Sequence, residues 1–94
     1  MDRVQHEAKG NRGAFFIERN GQRVAEMTYS VGGVIAIIDH TDVSDELRGT
    51  GTGARLVNAA VEWARAEHMQ IVPLCPYAKS VFAKTASYGD VLKR

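Results

Sequence analysis

Apolar and polar residues alternate through the first half of the chain and recur at three- and four-residue spacing through much of the second, which predicts strands followed by helices. Residues 4–8 read as a short first strand, with Gly10-Asn11-Arg12-Gly13 as the turn after it. Residues 14–19 and 22–29 are β-prone runs flanking Asn20-Gly21, a pair that favours a type I′ hairpin because both central positions need positive φ. Along the second run Val24, Glu26 and Thr28 alternate with Ala25, Met27 and Tyr29, so one face is mixed and the other more apolar. Gly32-Gly33 supplies the next reversal, and residues 34–43, rich in β-branched side chains, read as a longer strand. Three or four strands in series make an antiparallel meander.

From Gly51 the period becomes helical: Leu56, Ala59, Ala60, Trp63 and Ala64 form an apolar stripe, Arg55, Glu62 and Arg65 lie opposite, and the pattern fades near His68. Residues 70–74 are a short apolar run, expected to lie parallel to the strand before the helix because a strand–helix–strand order favours that pairing. Pro73 should interrupt its ladder, since proline has no N–H to donate. Pro76 suits the first position of a second helix, continued by Ala78, Val81, Phe82 and Ala83, with Cys75 as its N-cap. The fold class expected is α/β with a mixed sheet: a β-meander followed by helix, parallel strand and helix.

Ninety-four residues suffice for one domain, taken as 1–94, and for a modest core. The net charge is +1 and the twelve Lys and Arg are dispersed, which argues against nucleic acid as a partner. The longest apolar run, from Val34 to Ile38, is far short of the ~20 residues that span a bilayer, so no membrane partner is expected and the cytoplasm is the default compartment. Cys75 is the single cysteine, and no Cys/His cluster has zinc-ligand spacing, so neither disulfide nor metal is expected.

The stretch with most chemical content is Arg48-Gly49-Thr50-Gly51-Thr52-Gly53-Ala54, which runs straight into the first helix. Glycines let backbone approach a ligand, and a helix start offers unpaired N–H groups at the positive end of its dipole, so the stretch reads as an anion cradle. The alternative is a tight turn that merely seats the helix close to the sheet. A P-loop is excluded by the missing lysine, and Gly49-x-Gly51-x-x-Ala54 meets the dinucleotide fingerprint only formally, because no strand-end acidic residue follows at the required distance. Cys75 reads either as a small buried hydrophobe or, at a helix N-cap, as a thiol whose thiolate the dipole stabilises.

Val43-x-x-x-x-Arg48-Gly49-x-Gly51-x-Gly53, after a meander and before a long helix, resembles the acyl-CoA-binding motif of the GNAT superfamily of N-acetyltransferases. With Pro73-Leu74-Cys75-Pro76-Tyr77-Ala78 after the next strand, the chain looks like the minimal one-domain branch of that superfamily, over about residues 15–88. The resemblance implies that Arg48, Gly49, Thr50, Gly51, Thr52, Gly53 and Ala54 surround the CoA pyrophosphate, that Val43 pairs its backbone with the pantetheine arm, and that Cys75 lies near the thioester. Many members carry A-x-x-x-Y on the last helix, whose tyrosine protonates the leaving thiolate; here Ala78-x-x-x-Phe82 has no hydroxyl, which leaves Cys75 and Tyr77 as replacements. Tyr77 read by itself is a half-buried aromatic. His40, on the same strand as Val43 and flanked by Asp39 and Asp42, is the candidate base, against the plainer reading of a solvated strand histidine. His6 and His68 read as surface residues, Trp63 and Tyr88 as packing. Helices that wall the acceptor site in larger members are missing, so the acceptor side should be open. The function implied is transfer of an acetyl group from acetyl-CoA to a primary amine of a small molecule or a protein lysine. The alternative is a CoA-binding module, or a subunit of a larger assembly, without significant turnover.

Overall fold

A computed structural model describes residues 3–93. Five strands, β1 Gln5–Lys9, β2 Arg12–Arg19, β3 Gln22–Gly32, β4 Ile35–Val43 and β5 Gln70–Pro73, form one sheet in sequence order. Neighbours are antiparallel except β4 and β5, which run parallel. Helix α1, Thr52–Glu67, connects them as a crossover, and α2, Pro76–Lys84, follows β5. This is the mixed α/β architecture expected from the pattern.

The Asn20-Gly21 turn has φ of 52° and 78° at its two residues, the type I′ requirement. Two other reversals differ from expectation. The first turn is only Gly10-Asn11, and Arg12 and Gly13 belong to β2, paired with Lys9 and Ala8. Gly13 is there because the Tyr29 ring crosses it: a Cβ at position 13 would stand 2.3 Å from the phenol oxygen. In the third reversal Val34 lies in the turn and 63% exposed, while β3 extends to Gly32.

The stripe that α1 buries is Gly53, Leu56, Val57, Ala60, Val61 and Ala64, centred one position from the expected one. Ala59 and Trp63 flank it and are only partly buried. Leu56, Val57 and Val61 are fully enclosed with Ile17, Met27, Ile38 and Ile71, and a Leu56→Ala cavity at such a position costs about 2–5 kcal/mol. His68 closes the helix in the left-handed conformation, its N–H reaching the Ala64 and Arg65 carbonyls.

Ala78 and Phe82 of α2 join the same core as α1, so both helices cover one face of the sheet. On the other face Phe16 is covered by a side chain instead. Arg23 lies over the Phe16 ring, 3.8 Å from its centroid, and pairs with Glu7 at 2.7 Å. On the helix face, at the β1 edge of the sheet, His6 stacks on Phe15 with ring centroids 4.2 Å apart, hydrogen-bonds the Tyr29 hydroxyl and meets the edge of Trp63 of α1. His6 remains exposed overall, as does His68.

The tail adds what the pattern did not show. A 3-10 turn, Ala86–Asp90, is held to α1 by Arg65, which donates to both Asp90 carboxylate oxygens and to the Ser87 carbonyl. Leu92 then bridges Ile71 in parallel, on the outer edge of β5.

Candidate functional site

The site is built where β4 and β5 part. Their pairing ends at Ile38 and Pro73, and the Leu74 and Cys75 N–H groups both turn to the Ile38 carbonyl, at 3.1 and 3.3 Å. Beyond that point β4 continues alone to Val43. One extra residue on β4 changes which side chains face the helices: Tyr29 pairs with Ile38 but Thr28 pairs with His40, so Asp39 is a bulge. Plain alternation from the buried Ile38 would put His40 beneath the helices. The bulge puts Thr41 there instead, with its hydroxyl 3.2 Å from Cys75 Sγ.

The glycine loop forms the opposite wall. Gly49 and Gly51 have φ of 80° and 83°, and nothing stands within 4 Å of where a side chain would begin. Gly51 is the N-cap of α1 and supplies no side-chain cap, so the first N–H groups of the helix have no internal partner. Thr50 and Thr52 brace the loop: their hydroxyls are 2.7 Å apart and Thr50 also donates to the Leu47 carbonyl. Leu47, in the 3-10 turn Asp45–Leu47, is buried and anchors the loop to the core. Arg48 is exposed, with Nε 3.3 Å from Asp45 Oδ1 and 3.4 Å from the Val43 carbonyl.

Between the walls lies a cleft of about 450 Å³ lined by Val43, Arg48, Gly49, Gly51, Thr52, Gly53 and Tyr77, together with Thr41, Asp42 and Leu47. Positive-φ glycines with open space at their α-carbons, at the uncapped start of a sixteen-residue helix, suit a diphosphate.

At the other end stands α2. Cys75 is its N-cap, and its Sγ accepts from the Ala78 N–H at 3.3 Å; Pro76 occupies the first turn. The thiol is buried, 6% exposed, and sits behind Thr41 rather than on the cleft wall. Tyr77 lies across the start of α1, where a Cβ at Gly53 would come within 2.6 Å of its hydroxyl, so Gly53 is the gap that the phenol fills. Burial pushes the Tyr77 phenol up, and the neighbouring Cys75 charge pushes it further. It is therefore protonated at neutral pH and able to donate.

The structure does not bring together every residue singled out above. His40 is exposed and pairs with Thr28 on the face away from the helices, across the sheet from Cys75 and Tyr77. Ala54 faces a shallow hollow with Val4, Asn58 and Tyr88. Thr50 supports the loop without lining the cleft. Thr41 and Asp42 were missed. Their proximity to Val43 in the chain was the available signal, but the bulge that aims Thr41 was not legible. Among the described residues no group of three or more His, Cys, Asp or Glu side chains could hold a metal ion, and no helix is long and apolar enough to cross a membrane.

The family model described as GCN5-related N-acetyl-transferase matches residues 14–91. The chain belongs to this family. It is 38% identical to a GCN5-like protein from Staphylococcus aureus solved by NMR, with a TM-score of 0.73, over 95% of this chain and 87% of that one. The ribosomal-protein-S18-alanine N-acetyltransferase from Escherichia coli shares the fold at TM-score 0.69 and 13% identity; 82% of this chain covers 53% of it. An aminoglycoside acetyltransferase from an uncultured soil sample does so at TM-score 0.69 and 17% identity, over 82% of this chain and 58% of its own. The chain thus spans most of the first protein and little more than half of the two enzymes. No curated protein matches it. The family is one of acetyltransferases, and acetyl-CoA is its usual co-substrate.

Proposed function

We propose that the chain transfers an acetyl group from acetyl-CoA to a primary amine. The observation that carries this reading is the cleft that runs from a glycine-lined, uncapped helix start to Tyr77 in the first turn of a second helix, beside the gap where β4 leaves β5. Acetyl-CoA supplies the activated acyl group as a thioester. The N–H groups at Gly51, Thr52 and Gly53 would hold its diphosphate, with Arg48 at the mouth adding charge. The exposed backbone of β4 at Val43, free of β5, is where a pantetheine amide would pair. Holding the thioester there turns a bimolecular attack into one of fixed geometry.

In the transfer the amine nitrogen bonds the acyl carbon, the carbon–sulfur bond breaks, and one proton moves from the amine side to the departing thiolate. Tyr77, protonated and on the cleft wall, is the donor best placed for that thiolate. Cys75, buried behind Thr41, would serve as a second donor, or as a thiolate that takes the acyl group first and passes it to the amine, only where its sulfur becomes accessible from the cleft. His40 can deprotonate only an amine that arrives over the open face of the sheet, where it is exposed.

The test is release of CoA thiol from acetyl-CoA against a panel that includes small amines, polyamines and lysine peptides. Release that depends on an amine supports transfer. Saturable CoA binding with no amine-dependent release across the panel would instead favour a binding module, a reading consistent with Phe82 standing where a tyrosine is usual. Intact mass after incubation with acetyl-CoA separates the two roles of Cys75: a transient gain of one acetyl group marks the covalent route.

A further inference from the structure

We infer that Thr41 is a positioning residue for Cys75, holding the sulfur in its reactive orientation and stabilising its thiolate through the Oγ1–Sγ contact of 3.2 Å. The sulfur has two partners in the structure. One is the Ala78 N–H, which can only donate, at 3.3 Å. The other is the Thr41 hydroxyl, which can donate or accept. A thiol pointing its hydrogen at Ala78 N would place two hydrogens face to face, so the S–H is left to turn toward Thr41 Oγ1, which can accept it. When the proton leaves, the hydroxyl rotates and donates, and the thiolate then receives two hydrogen bonds at a helix N-terminus. Thr41 thus serves both protonation states without moving a heavy atom.

Position supports the same role. Thr41 lines the cleft and its hydroxyl touches the buried Cys75 sulfur, so it links that sulfur to the cleft wall. The Asp39 bulge is what aims it. The titratable groups nearby are Tyr77 on α2, and His40 and Asp42 flanking Thr41 on β4, both exposed; Lys79 lies one turn along α2, and α1 presents Thr52 and Gly53.

For catalysis this rests on Cys75 taking part in the proposed transfer, so the test reads the sulfur itself, without CoA or an amine. The rate of iodoacetamide alkylation is followed against pH for the folded wild type, Thr41→Val, Thr41→Ala and Thr41→Ser. Losing a donor to the charged form should raise the midpoint of Thr41→Val by about one pH unit and slow alkylation about tenfold at pH 7. Thr41→Ala, which also lacks the hydroxyl but adds no bulk, should behave alike should valine disturb packing. Thr41→Ser should return the midpoint to that of the wild type. A wild-type midpoint in both hydroxyl-free variants would overturn the inference. So would a Thr41→Ser midpoint displaced as far as that of Thr41→Val, because the methyl rather than the hydroxyl would then matter. Should amine-dependent transfer fail while these shifts hold, the fault lies with the proposed reaction and not with the Thr41–Cys75 pair.

Discussion

Gly51 combines two requirements that no other residue type meets at once. It begins α1 with φ of 83° and leaves empty the space that a side chain would enter. A Cβ there carries a left-handed backbone cost of roughly 1–2 kcal/mol and intrudes on the cleft. Gly51→Ala is therefore expected to lower stability by that amount in urea titration and to weaken CoA binding more than tenfold in calorimetry. Gly53 differs in kind. Its backbone is helical, and its missing side chain makes room for the Tyr77 ring, so a substitution there acts first by displacing the phenol. The cleft glycines, and Cys75 behind the cleft, were legible in the sequence because a helix start and its cap are local features. Thr41 was not, because its direction depends on one extra residue two positions earlier, and the same shift carries His40 to the outer face.

Elements whose identity rests on neighbours in sequence were likewise readable. Asn20-Gly21 forced its hairpin, and Pro76 after Cys75 opened α2 where expected. Gly13 read as turn chemistry because the ring that explains it, Tyr29, arrives from another strand. The α1 stripe was misplaced for a similar reason: Val57 and Val61 are centred by what the sheet presents to them. Two expectations concern elements as units. Replacing Cys75 by alanine removes the cap of α2 and should cost about 1 kcal/mol, whereas Cys75→Ser retains an acceptor for the Ala78 N–H and should lose less in thermal unfolding. The second concerns β1, whose His6 joins the Phe15, Tyr29 and Trp63 rings. Burial lowers the His6 pKa, so the folded state binds its proton less readily than the unfolded chain does. Stability should then fall as pH drops below the ordinary histidine value of about 6.5, levelling off below the lowered folded value. Thermal midpoints across pH 5–7.5 check this, and His6→Gln should flatten that part of the curve. The Arg65–Asp90 pair acts in a separate, more acidic window, because Arg65 holds the Asp90 carboxyl below its usual range.

At the scale of the molecule, one face of the sheet carries both helices and the core, and the cleft opens where two parallel strands separate. The opposite face has no helix among the described residues, which leaves the side of His40 open to an acceptor. The same fold recurs in longer acetyltransferases, little more than half of whose length this chain covers. The acceptor was not legible, because it would be recognised by side chains on a face that composition and periodicity do not single out. The central claim is that this cleft holds the acyl donor, and amide chemical shifts followed during titration with CoA test it most directly. Saturable shifts confined to the amides of Val43, Gly49 to Ala54 and Cys75 to Ala78 are expected. Absence of saturable shifts, or shifts centred on the His6 and Trp63 end of the sheet, would contradict the account.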